Sequence, residues 1–195
     1  MSRFGPWCLA VIGAAACLIA VGPLHAASFA LTPSERDAAI RLGKRSVTTE
    51  DFGTEWSVAG ERPGQTLMVM TPFHRLALAA RNSAFREEEL RPKDVEAATK
   101  TEDGVLTLWA TLKGERADFA RFYVPVLMNG GQEIKATFTQ NERTARREED
   151  GSFTARCVYV FPAAGLKRDD RPTLVVKDQD AKPVAKFTMD LAAMR

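Results

Sequence analysis

His74 and Arg75 are the pair of neighbouring side chains in this sequence best placed to hold a ligand. Thr71-Pro72-Phe73-His74-Arg75 reads as the opening turn of a helix. Free backbone N–H groups and the positive end of the helix dipole favour negative charge there. Two cationic side chains at that end are unfavourable by themselves, and a bound anion would relieve them. The expectation is an anion-binding site at His74 and Arg75, against the simpler alternative that both pair with nearby glutamates or face water.

The remaining residues exclude more chemistry than they suggest. Beyond residue 26 the chain has one histidine, His74, and one cysteine, Cys157. Zinc needs three or four histidine, cysteine or carboxylate ligands, and neither H-E-x-x-H nor C-x-x-C occurs. Asp178-Gln179-Asp180 supplies two carboxylates but lacks the glycine and distal glutamate of a calcium loop, so it reads as a hairpin tip. Cys157 stands among Phe153, Tyr159 and Phe161 on the apolar side of a strand pattern, where a thiol is a small inert hydrophobe. No G-x-S-x-G, phosphate-binding glycine loop or dinucleotide fingerprint is present. The sequence therefore predicts no catalytic set, no metal and no cofactor.

Two weaker constellations stay open. Glu87-Glu88-Glu89 and Glu148-Glu149-Asp150 could contribute to a carboxylate-only hydrolase, but consecutive acids point in different directions and are usually solvated. Trp56 and Trp109 would form a carbohydrate platform if both were exposed, whereas a strand tryptophan more often packs in a core.

The elements that must position these residues begin with an export signal. Arg3 precedes an uncharged apolar run from Trp7 to Val21, which Gly22 and Pro23 break, and alanines follow at Ala26 and Ala27. This is the pattern of a cleaved secretory signal over residues 1–26. The alternatives are an uncleaved membrane anchor over Trp7 to Leu24 and a lipidated Cys17. Periplasmic or secreted localisation is expected, with no membrane span left after cleavage. Net charge is +2 with interspersed signs. That argues against a nucleic-acid partner and leaves an envelope protein or a small ligand as the expected partner.

Residues 27–195 are read as one mature domain, with a helix-rich part over 27–102 and a β part over 103–195. Thr32-Pro33-Ser34-Glu35 predicts a capped helix ending at Gly43. A hairpin is expected between Glu55–Val58 and Thr66–Met70, turning at Glu61-Arg62-Pro63-Gly64. A second helix starts at Thr71-Pro72, with Phe73, Leu76, Ala77, Ala80 and Ala84 on one side. A short third helix follows Pro92. From residue 103 the period becomes alternating, with strands expected over 104–113, 119–128, 132–140, 142–148, 152–161, 173–177 and 183–191. Asn129-Gly130 and Asp150-Gly151 are hairpin turns that accept positive φ. The expected fold is mainly β (α+β), an antiparallel immunoglobulin-like β-sandwich with short N-terminal helices packed on it. The function expected from export and missing catalytic sets is a non-catalytic binding or assembly protein. A small-molecule or glycan-binding module comes next, then a carboxylate-dependent hydrolase.

Overall fold

Helix α1, Pro33–Arg45, starts where its capping chemistry dictates. The Thr32 hydroxyl accepts from the Glu35 N–H at 3.2 Å, and the Glu35 carboxylate accepts from the Thr32 N–H at 2.7 Å. Together they satisfy two helix-terminal donors. The computed structural model that provides this geometry describes residues 30–100 and 104–194. The export segment and its alternatives, together with Asp103, lie outside those residues. Among the described residues no helix is long and apolar enough to cross a membrane.

Gly43 does not end α1, contrary to expectation; the helix runs on to Arg45 with Ser46 as its cap. The glycine serves packing instead. A Cβ at position 43 would stand 2.1 Å from the Ala77 carbonyl oxygen and 2.8 Å from the Ala80 Cβ. Only hydrogen in place of a side chain lets α1 approach the second helix, α2, Pro72–Phe85, so closely. Thr71 caps α2 by accepting from the His74 N–H at 3.1 Å. The short helix α3, Pro92–Lys100, packs on α2.

The strands form two antiparallel sheets that share one core with the helices. Strands β1 (Ser57–Ala59), β2 (Thr66–Met70), β3 (Val105–Gly114), β6 (Phe138–Gln140), β7 (Arg146–Arg147) and β8 (Phe153–Pro162) make the first. Its order is β1-β2-β3-β8-β6, with β7 also on β8. The second has the order β10-β9-β4-β5, from β10 (Pro183–Thr188), β9 (Thr173–Lys177), β4 (Val124–Asn129) and β5 (Gln132–Lys135). The fold is mostly β, a sandwich-like α+β arrangement with three helices. Because β2 pairs with β3, the helix-rich part and the β part contribute to one sheet.

Alternation decides which face of the first sheet is inside. Leu106, Leu108, Ala110 and Leu112 of β3 are buried opposite Phe161, Tyr159, Cys157 and Ala155 of β8, as their pattern predicts. These side chains meet Leu127, Leu174, Val176 and Phe187 of the second sheet.

Three expected strands are revised. Residues 119–123 form successive turns before β4, with Phe119, Arg121 and Tyr123 N–H groups bonding carbonyls three residues back. The Phe119 ring fills the space above Gly114, where a Cβ would come within 2.3 Å of it. The run 132–140 divides because Ala136 and Thr137 carry the chain from one sheet to the other. In 142–148 only Arg146–Arg147 pairs, since the Glu142 carboxylate replaces a strand partner by accepting from the Arg156 N–H at 2.6 Å. The first hairpin strand also starts later than expected. Thr54–Trp56 is a 3₁₀ turn that drives Trp56 into the core.

Candidate binding surface

His74 and Arg75 follow one another on α2, so successive helical positions send them in different directions. His74 is 2% exposed. Its ring stacks on Trp56, with centroids 4.2 Å apart and planes 4° apart, and Phe52 lies 6.0 Å away. Nδ1 is 3.2 Å from the Val69 carbonyl oxygen and donates to it. Burial pushes the His74 pKa below its ordinary value, with the Val69 carbonyl opposing in part. A buried neutral imidazole is therefore part of the core, while Arg75 is half-buried and lines a groove on the other side. The two side chains stand in different surroundings, one buried and one half-buried.

The two tryptophans also part. Trp56 is fully buried, and Trp109 is 49% exposed. Cys157 is buried and its thiol pKa is raised by that burial. Tyr159, also buried, donates its hydroxyl to Asn141 Oδ1 at 3.1 Å, and burial raises its pKa as well. The acidic runs lie at the surface and are partly engaged: Glu88 pairs with Arg86, Glu148 with Arg146, and Asp150 with Lys113. Asp178 accepts from the Asp180 and Lys182 N–H groups, closing the hairpin tip. Among the described residues no cluster of three or more histidine, cysteine or carboxylate side chains could hold a metal.

The surface with an unusual composition is the outer face of the first sheet. Register places Met68, Trp109, Val158 and Gln140 in one row across β2, β3, β8 and β6. Met70, Thr107, Val160 and Phe138 form the next. Trp109 and Phe138 are both about half exposed, at 49% and 50%. Val158 and Val160 between them are half-buried. Charged strand residues on this face are Lys113, Arg146 and Arg156, and among the described residues these strands place no carboxylate there.

At one end of this face, residues of β2, β3 and the two helices α2 and α3 line an open groove of about 450 Å³. Trp109, Met70, Leu78 and Ala98 supply apolar lining, and Arg75, Asn82 and Asp94 supply polar lining. The Asp94 carboxylate is held in a two-point contact by Arg91, at 2.8 and 3.2 Å. Arg75, Leu78 and Asn82 recur at helical spacing on the side of α2 that lines the groove, and Phe85 at the end of the helix is 75% exposed. A larger groove of about 540 Å³ lies beside residues 115–123, where Arg62, Arg116, Asp118 and Asp178 mix both signs of charge.

The sequence pattern identified the burial of Cys157 but missed this face. Its signal was present in the outward alternation of β3 and β8, where Trp109, Val158 and Val160 occupy positions that a solvated face would give to polar residues.

No protein-family model matches the chain, and no curated protein sequence matches it. A solved structure of a protein of unknown function from Burkholderia pseudomallei K96243 is similar at 10% sequence identity. The similarity covers 84% of this chain and 92% of that one, with a TM-score of 0.42, a likeness too low to transfer fold or function.

Proposed function

We propose that this chain is an exported, non-catalytic binding or assembly protein of the periplasm or cell envelope. The observation that carries the binding part is the outer face of the first sheet, where Trp109 and Phe138 stand half exposed around Val158 and Val160. Large apolar side chains gathered on an open face mark interaction sites more often than they occur by chance. Export rests on the basic, apolar, small-residue succession of residues 1–26. Two antiparallel sheets around one core support an immunoglobulin-like sandwich at the level of layers. The strand order differs from that family's, since β4 lies between β9 and β5 rather than beside β3 and β8.

A second reading, a small-molecule or glycan-binding module, is favoured by the groove that brings the Trp109 indole beside Arg75 and Asn82. With Trp56 buried, such a module has one tryptophan to offer rather than two.

Native mass spectrometry of the tagged protein from its own host's envelope fraction tests the proposal. A mass matching cleavage after Ala26 or Ala27 with a reproducible second protein attached supports it. A bound small molecule instead favours the second reading. An uncut chain confined to the cytosol refutes export.

A further inference from the structure

Resting on the reading of the chain as a binding protein, we propose that the outer face of the first sheet and its groove dock an acidic polypeptide segment with an apolar anchor residue. The anchor lies on Trp109 between β3 and the two helices, and the following residues run over Val158, Val160 and Phe138. Two features of the face select this occupant.

The first is charge. The strands place three bases and no carboxylate on the face among the described residues. Asp150 and Glu148 from the adjoining turn engage Lys113 and Arg146, at 3.5 and 2.9 Å. Arg156 is exposed and has no ion pair among the described residues. The Glu142 carboxylate accepts from the Arg156 backbone N–H rather than from its guanidinium. An incoming acidic side chain would find its partner in Arg156, and like-charged partners would be repelled.

The second is shape. Trp109 lines a shallow groove together with residues of α2 and α3, a concave seat for a narrow segment. Saccharide hydroxyls would find Arg75, Asn82 and Asp94 at the groove, but Val160 and Phe138 farther along the face offer them no polar side chain. Tryptophan and arginine are also the residue types that most often dominate protein-binding energy.

Fluorescence anisotropy with labelled 12-residue synthetic peptides tests the proposal on the full-length protein. One peptide alternates Glu with Leu and Phe, a second replaces every Glu by Lys, and a third replaces Leu and Phe by Ser. The first is expected to bind at least about tenfold more tightly than the other two, and more weakly as salt is raised. Trp109→Ala and Arg156→Glu should each weaken it about tenfold or more. Both positions are solvent-facing, and circular dichroism and melting temperature verify that the variants fold. Phe122→Ala removes an exposed aromatic ring from the loop beside the other groove and should leave binding unchanged.

Equal binding of the three peptides, no binding up to about 1 mM, or indifference to both face variants overturns the proposal. So does transfer of the Trp109 and Arg156 dependence to phosphatidylglycerol vesicles or to oligosaccharides. An envelope partner retained by the double variant would overturn this face assignment and leave the binding-protein reading intact. Peptide binding by a chain that is never exported would support the face assignment and overturn export alone.

Discussion

Mild acidification should destabilise this protein through one side chain, His74. The imidazole is almost fully buried against Trp56 and Phe52, and its Nδ1–H is spent on the Val69 carbonyl. The Arg81 guanidinium sits 4.9 Å from the Phe52 ring centroid, so the rim of the cluster already carries a cation. Protonating His74 in place would put a second positive charge inside an aromatic core. Burial therefore depresses the native pKa, whereas the unfolded chain takes up the proton from about pH 6.5 downward. The unfolded state binds more protons in that window, and stability falls as pH falls. The slope has a ceiling of about 1.4 kcal/mol per pH unit, and the loss between pH 7 and pH 5 is at most about 2 kcal/mol.

The carboxylates with displaced pKa values are shifted away from that window. Glu35 and Asp170 are held below the ordinary carboxylate range chiefly by the Thr32 and Lys167 N–H groups. Their stabilisation is present above the unfolded pKa and is lost only as pH falls below about 4.5. Urea unfolding at half-unit pH intervals from 7 to 5 measures the slope. His74→Gln should be less stable at pH 7 but lack the slope, and imidazole NMR of the parent protein should show His74 titrating below the ordinary histidine value. A parent protein whose stability is flat over this range, or a His74→Gln variant that keeps the slope, would refute the reasoning.

Three further outcomes follow from packing. Gly43→Ala improves helix propensity by up to about 1 kcal/mol, yet should lower stability by about 1–3 kcal/mol because its Cβ meets the α2 backbone; thermal unfolding measures the sign. The Cys157 thiol should resist an aromatic disulfide reagent in the native state and react at a rate set by unfolding, since burial raises its pKa and blocks access. Rapid native modification would contradict the buried placement. Acrylamide should quench a tryptophan component that disappears in Trp109→Phe, while the fully buried Trp56 stays protected.

Short-range chemistry was legible in the sequence where it depends on a few neighbouring residues. The Thr32 and Thr71 caps, the prolines that follow them, and the alternation of Phe153 to Phe161 state their structure locally, because one turn or one pleat contains all the interacting groups. Gly43 misled for the same reason: by local rules a glycine after an apolar stripe ends a helix, and the α2 backbone against it comes from more than thirty residues away. Nothing local announces that Ala136 and Thr137 cross between sheets, or that Glu142 takes a strand partner's place.

The same division holds for the surface. Sequence alone excluded zinc motifs and nucleophile motifs, because those chemistries demand residue types and spacings that the chain lacks. Only the tertiary structure decided that His74 stacks inside while Arg75 lines a groove, and that one tryptophan is buried and the other half exposed. An aromatic side chain has the same composition and the same strand propensity in either place. Whether it meets a core or solvent is decided by which sheet or helix covers it, and those contacts span the chain.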